Sequence, residues 1–357
     1  MATTFSVESS HDARRFNVGR LLANSGPLLI LVLLFVLLFI AAPSFRRPMS
    51  ILLVGGQAAF IGIVAIGQTA VILTGGIDLS VEAMVGFSSV VAAILISGTN
   101  QSGGQIAGGI PSWAAIPIAI LVGALIGALQ GVVITSLNIS PFIVTLGFLS
   151  ILTGAALTLT NGSPINIKND PFIDFLSGSI PVELNETTRF AIPIPLLLMV
   201  VLYAVMWLIM RHTKLGRYTY AIGGNETAAR LSGVNVTRTK ILVYGMSGLL
   251  ASISGVIVMG YLQTGAYQNG TDYTLTSVAA VVIGGTALAG GAGGVWGTLI
   301  GAFIMQLVRA ALLYLEVPPN AHKIVIGVII VLAVALDVIR RGEVSWLRRM
   351  FRSHAAS

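Results

Sequence analysis

The sequence predicts an all-α polytopic membrane protein of about ten transmembrane helices with both termini in the cytoplasm, and three observations predict it. Only 9% of the 357 residues are charged and 55% are hydrophobic, where an ordinary soluble domain is about 25% charged. Apolar runs of about 20 residues, enough to span a ~30 Å hydrocarbon core, recur along nearly the whole chain. The basic residues gather in a few connecting segments and near the ends.

The runs place helices at 21–42, 50–73, 81–97, 113–137, 141–160, 191–211, 240–264, 274–290, 294–315 and 321–339. They form a transmembrane unit, 21–341, between a cytoplasmic segment 1–20 and a basic cytoplasmic tail 342–357. The first run follows Arg14, Arg15 and Arg20, as a secretory signal would. It is too long for a signal core, so a retained helix is expected, and the paired arginines lack the surroundings of a twin-arginine signal.

The second run, free of charge from Ile51 to Leu73, ends in ILTGGIDLSVE, residues 72–82. Here Asp78 and Glu82 sit beside Gly75 and Gly76, which weaken any helix. One reading is a helix break in which Asp78 stays hydrated or caps the third helix near Ser80. The other is a gate, because ionisable groups near membrane segments are functional candidates. The third and eighth runs are short and glycine-flanked, consistent with interrupted or re-entrant helices; broken backbone must face protein or water, never lipid.

In the fourth run Gly123, Gly127 and Gly131 repeat at spacing four, and Gly293, Gly297 and Gly301 do so at the ninth. Such faces let helix backbones approach closely, within one bundle or at a mobile or subunit interface. Ser140-Pro141 reads as a cap followed by proline at the first helical position.

Charge placement gives the orientation. Between Arg211 and Lys240, six basic residues face the single Glu226, and the tail carries Arg340, Arg341, Arg348, Arg349 and Arg352 against Glu343. The loop 161–190 is net acidic, with Asp170, Asp174, Glu183 and Glu186 outweighing Lys168 and Arg189. The positive-inside rule puts the basic segments in the cytoplasm and the acidic loop outside; Arg46 and Arg47 fall outside, against the rule. The +7 net charge is thereby a topology and lipid-headgroup signal. No aromatic platform or recognition motif points to nucleic acid.

Several chemistries are excluded. There is no cysteine, hence no disulfide, Cys-ligated metal or thiol catalysis. None of Lys168, Lys214, Lys240 and Lys323 follows a glycine, so the chain has no P-loop for ATP. His11, His212, His322 and His354 show no metal-ligand spacing, and no GxSxG elbow occurs. No metal and no cofactor are expected in this chain, and no catalysis. A small-residue-rich bundle with sparse polar groups is what a transporter or channel requires.

The segment 211–240 is the most informative. Gly223-Gly224-Asn225 ends one element, and Asn225 can cap a short helix starting at Glu226, whose charge suits the helix N-terminus. Ala228, Ala229 and Leu231 give that helix a small apolar face, and Gly233 stops it. This describes a docking element for a cytoplasmic partner or a connector on the membrane surface.

Glu226-Thr227-Ala228-Ala229-Arg230-Leu231-Ser232-Gly233 resembles the coupling loop of bacterial ABC-importer permeases. TGGIDLSV (74–81), TNGSP (160–164), TKLGRYTYAIGGNETAARLSGV (213–234), VVIGGTALAGG (281–291) and GTLIGA (297–302) resemble the ribose-type monosaccharide permease family, in unbroken order from about residue 28 to 341. Glu82 stands where that family usually has a small residue. The resemblance implies a ten-helix ABC-importer permease of the cell inner membrane that moves a monosaccharide or similar polyol by alternating access. It implies three partners: a cytoplasmic ATPase with two nucleotide-binding modules, which holds ATP and Mg; a periplasmic or lipid-anchored sugar-binding protein; and a second permease subunit, identical or related. A stand-alone secondary transporter or channel is the alternative.

For sugar contact, neutral hydroxyl and amide groups avoid a large desolvation penalty. With Asp78 and Ser80, the pathway candidates are therefore Gln68, Thr69, Asn138, Thr145, Asn161 and Gln263. Arg309, near the outer end of the ninth run, is expected to snorkel to headgroups, with contact to sugar or a binding protein as the alternative, and Asp337 to pair with Arg340 and Arg341. The glycine-rich VVIGGTALAGGAGG, 281–294, is a possible counterpart of the GGIDLS break in a second repeat.

Overall fold

The computed structural model describes residues 18–98, 109–167, 170–185 and 188–340. Arg14 and Arg15, the tail from Arg341, Lys168 and Glu186 lie outside the described residues, as do the side chains of Arg20, Glu183, Arg189, Asp337 and Arg340.

Ten helices occupy the ten expected runs: α1 (Val18–Ala41), α2 (Pro48–Leu73), α3 (Val81–Ser97), α4 (Ser112–Ser136), α5 (Pro141–Thr160), α7 (Ile194–His212), α10 (Val236–Leu262), α11 (Tyr273–Ile283), α12 (Val295–Tyr314) and α13 (Pro319–Arg340). Among the described residues, six of them, α2, α4, α5, α7, α10 and α12, are long and apolar enough to cross a membrane. Proline opens α2, α5 and α7 within the first two positions, where its missing N–H costs no helical bond. Left-handed residues close α3, α5 and α10, at Gly98, Asn161 and Gln263. Between them lie the short helices α6 (Pro171–Ser177), α8 (Lys214–Gly224) and α9 (Glu226–Leu231).

Two expectations change. The eighth run reads as 274–290, but α11 stops at Ile283, because Gly284 and Gly285 (φ +89°) turn the chain away; a helix broken there fits both an interrupted and a re-entrant segment. The fold is also not purely helical. β2 (Ser179–Asn185) and β3 (Thr188–Pro193) make an antiparallel hairpin in the acidic loop, and β1 (Ile165–Asn166) pairs with β4 (Thr264–Gly265). These strands lie between apolar runs, where hydrophobic length carries no signal.

α2 and α10 form the centre. Of the most apolar window of each, 61% and 67% is buried, against 22% for α5. α10 packs chiefly on α4, α2 and α3, and α2 also meets α12, α7 and α11. Gly123, Gly127 and Gly131 all lie in the α4–α10 contact, where an added methyl would strike Ser252, the Tyr244 carbonyl or the Ile241 backbone. Gly297 and Gly301 pack on Gly284 and Ala280. Gly293 does not join that row; it lies in the loop before α12 with φ +133°.

Candidate functional site

At one end of the bundle three glycine pairs from distant parts of the chain meet. α2 ends at Leu73, where Thr74 Oγ1 donates to the Val71 carbonyl (2.7 Å), and Gly75 turns the chain at φ +80°. The loop after α11 brings Gly290 and Gly291 (φ +88° and +72°) alongside, and the Gly291 N–H donates to the Leu73 carbonyl at 3.0 Å. Gly223, at the end of α8, rests on the same carbonyl and on the Gly291 nitrogen, with no room for a methyl group. Thus GGIDLS and the 281–294 segment are both helix breaks, and they touch each other and the α8 terminus backbone to backbone.

Beside this junction Asp78 is 1% exposed; of the two readings, hydration and capping near Ser80, its geometry fits the second. Its Oδ1 accepts from the Ser80 N–H (3.0 Å) and hydroxyl (2.6 Å), and its Oδ2 accepts from Ser247 (2.8 Å). Gln130 Nε2 donates to Ser80 Oγ at 2.7 Å. The capping reading agrees: Asp78 bonds the Ser80 N–H at the start of α3, while the Ser80 hydroxyl makes no cap bond of its own. One carboxyl thereby ties the start of α3 to α10 and, through Ser80, to α4. The sequence reading missed Gln130 and Ser247; each directly precedes a glycine of the α4–α10 contact, Gly131 and Gly248.

The remaining candidates do not converge. Gln68 is fully buried near the end of α2, and neither of its amide atoms has a partner among the described residues. Thr69 bonds the Ala65 carbonyl (2.7 Å) and the Thr298 hydroxyl (2.8 Å). Thr145 bonds the carbonyls of Pro141 (2.9 Å) and Ile77 (3.3 Å). Asn138, Asn161 and Gln263 have φ of 52°, 50° and 55° at the ends of α4, α5 and α10. They turn the chain where a left-handed residue is needed, and Gln263 Nε2 also donates to Asp174 Oδ1 at 3.0 Å.

α8 and α9 form a compact element next to the junction. Asn225 Oδ1 accepts from the Ala228 N–H (2.9 Å), and Gly233, at φ +83°, ends α9. Glu226 pairs with Arg230 (3.0 Å) and Lys240 (2.7 Å). Partial burial pushes the Glu226 carboxyl up, but the bonds and charges of Lys240 and Arg230 prevail and hold it below the ordinary carboxylate value. The small apolar face read at Ala228, Ala229 and Leu231 is split, because Ala229 turns inward and is buried against Ile222 and Val236. Ala228 is exposed, and Leu231, 84% exposed, is the apolar side chain presented outward.

At the opposite end, α2, α10, α12, α13 and the Tyr267–Gly270 turn enclose a cleft of about 630 Å³. Arg309 enters its wall instead of snorkelling: Nη2 donates to Thr276 Oγ1 at 2.8 Å, and the guanidinium lies 5.9 Å from the Tyr273 ring centre. Gln306 Nε2 donates to Gln57 Oε1 (3.1 Å), and Gln57 Nε2 to Tyr261 Oη (3.3 Å). Lys323 Nζ stands 3.9 Å from Asp272 Oδ1. Gln306 and Arg309 share one face of α12 at spacing three, a signal the sequence reading left unused.

This is the architecture of a membrane permease: apolar helices with buried breaks, polar groups gathered at the two ends, and an α8–α9 element held against the breaks. The family described as the permease component of branched-chain amino acid transport systems matches residues 50–334, and the chain belongs to it. The Escherichia coli ribose import permease protein RbsC is 36% identical over 91% of this chain and 96% of its own length. That of Bacillus subtilis is 37% identical over 91% and 96%. The Salmonella typhimurium galactose/methyl galactoside import permease protein MglC is 31% identical over 89% and 95%. No solved structure matches the chain. With its long apolar helices, the chain is a multi-pass transport component of the bacterial inner membrane.

Proposed function

We propose that the chain is the membrane subunit of an ATP-driven importer for a monosaccharide or similar polyol. The observation that carries this is the 36–37% identity to ribose import permeases over nine-tenths of the chain, which favours a sugar over the branched-chain amino acids of the family description. All ten helices of the apolar runs cross or enter the membrane, with both termini and α8–α9 on the cytoplasmic side. A separate ATPase with two nucleotide-binding modules holds ATP and Mg, and a periplasmic or lipid-anchored binding protein delivers the sugar at the cleft end. A second permease subunit completes the pathway, and side chains such as Leu121, Leu125 and Leu129, exposed along α4, meet lipid or that subunit.

The junction supplies the coupling step. Closure of the ATPase displaces α8–α9, with Ala228 and Leu231 as the contact face. Gly223 abuts Leu73 and Gly291 with no side chain to yield, so the displacement reaches the ends of α2 and α11 directly. The Asp78 cluster, which joins α3, α4 and α10, moves with them as the inner gate. Alternating access then opens the bundle toward one side at a time.

The test is reconstitution in vesicles with such an ATPase and a sugar-binding protein from the same genome, using labelled pentoses and hexoses. Uptake of one of them should require ATP; equal uptake without the ATPase would establish the stand-alone transporter instead. For orientation, Asn185→Cys should react with an impermeant thiol reagent on intact cells and Asn225→Cys should not.

A further inference from the structure

The cleft at the Gln263 end takes no part in the coupling just described, yet it concentrates polar groups in a bundle that has few. Polar side chains facing lipid are costly, and those that face a cavity within membrane segments are functional candidates. Its volume of about 630 Å³ falls within the ~300–1,000 Å³ of small-molecule sites.

The chemistry of the lining narrows the ligand. Arg309 and Lys323 only donate hydrogen bonds, an ionised Asp272 only accepts, and Gln57 and Gln306 do both. A cation would be opposed by Arg309 and Lys323, an anion would engage Arg309 but leave the amide donors and acceptors of Gln57 and Gln306 and the carboxylate of Asp272 unused, and an acyl chain would leave all of them unpaired. A neutral molecule with several hydroxyls can satisfy donors and acceptors together.

The groups also have capacity to spare. Of Arg309's five N–H donors, Nη2 is used by Thr276, while its buried Nε has no partner. No carboxylate lies within ion-pair distance of Arg309 among the described residues. Tyr261, 43% exposed at the cleft wall, offers a ring against which the apolar face of a sugar can lie.

We propose that this cleft is a binding station for the transported sugar, with Gln57, Asp272, Gln306 and Arg309 taking its hydroxyls and Tyr261 its apolar face. The proposal rests on the importer reading and adds the residues that hold the cargo before it passes inward.

The native chain lacks cysteine, so one thiol reports on the cleft cleanly. Leu313→Cys, in the cleft wall, and Leu231→Cys, at the other end as a control, would each be reacted with a polar maleimide in lipid nanodiscs. D-ribose, D-galactose and a panel of other pentoses and hexoses would be titrated to their solubility limits. A bound sugar should slow labelling at Leu313→Cys, by roughly ten-fold at ten times its Kd, and leave Leu231→Cys unchanged. Adding Arg309→Gln or Gln306→Ala should remove the protection. If the reconstituted complex imports a panel sugar that never slows Leu313→Cys, the cleft proposal fails while the importer reading stands. Protection that survives both cleft substitutions also overturns it. If no panel sugar is imported and none protects, the importer reading falls and takes this inference with it.

Discussion

At the Asp78 end of the bundle glycine backbones rest on glycine backbones, whereas at the Gln263 end long polar side chains line an open cleft. The Asp78 carboxyl makes three hydrogen bonds of 2.6 to 3.0 Å, each to a fixed short side chain or backbone group. In the cleft, Gln57, Gln306, Arg309 and Lys323 reach their partners through several rotatable bonds, and the Lys323–Asp272 pair stands 3.9 Å apart. The difference teaches what each end can do. Contacts without side chains cannot absorb a displacement, which suits the proposed relay; long side chains can rearrange, which suits the proposed binding station.

The sharpest way to break this comparison is at adjacent glycines. Gly223→Ala drives a methyl group into the Leu73 carbonyl and the Gly291 nitrogen, neither of which can rotate away. It should lower thermal stability by about 1–3 kcal/mol, as overpacking does, and abolish ATP-driven uptake. Gly224→Ala meets nothing within 4 Å and should leave both near normal. Equal behaviour of the pair in melting and uptake assays would remove the junction's special role.

Asp78→Ala comes next. It orphans the buried Ser247 and Ser80 donors, at about 1–3 kcal/mol for each group left unsatisfied, whereas Asp78→Asn keeps an acceptor and should lose much less. Thermal melting in detergent compares the two.

On the α8–α9 element, Ala229→Trp and Leu231→Asp should separate folding from docking. Tryptophan at the buried Ala229 disrupts packing on Ile222 and Val236, so the element itself should loosen, seen as faster proteolysis between residues 211 and 240. Leu231→Asp lies on the surface and should change stability by no more than about 0.5 kcal/mol. It should nevertheless reduce ATP hydrolysis stimulated by the loaded binding protein several-fold.

The smallest effect belongs to Glu226. Its carboxyl ionises more readily folded than unfolded, so its contribution is complete above the ordinary carboxylate range and is lost as pH falls through the lowered folded-state value. The pairs with Arg230 and Lys240 are partly solvated, which limits this to less than about 1 kcal/mol. Glu226→Gln should remove that part of the pH dependence of melting between neutral and acidic pH.

Much of the α8–α9 element was legible because its signals are local. Asn225 caps within three residues and Gly233 turns within one, and both lie where the sequence places them. The orientation of α9 was not, since a six-residue helix with apolar residues at 228, 229 and 231 has no unambiguous inner face. Burial of Ala229 was decided by Ile222 and Val236, one on the preceding element and one on the following. Asn138, Asn161 and Gln263 show a second, local role that the pathway reading left out. Polar residues among apolar ones suggest a pathway, but each directly follows an apolar helical run, where the chain needs a left-handed residue.

By itself the sequence determined where the helices run, that they belong in lipid, that no nucleotide motif accompanies them, and which permease family they form. Those properties follow from hydrophobic length, charge placement and short motifs, all read along neighbouring residues. Tertiary structure alone decided that Gly75, Gly223 and Gly290 meet, that Ser247 and Gln130 serve Asp78, and that Arg309 faces a cleft. Each of these depends on helix rotation and approach, set by how glycine faces pack over residues far apart in the chain, and no local pattern encodes that partner.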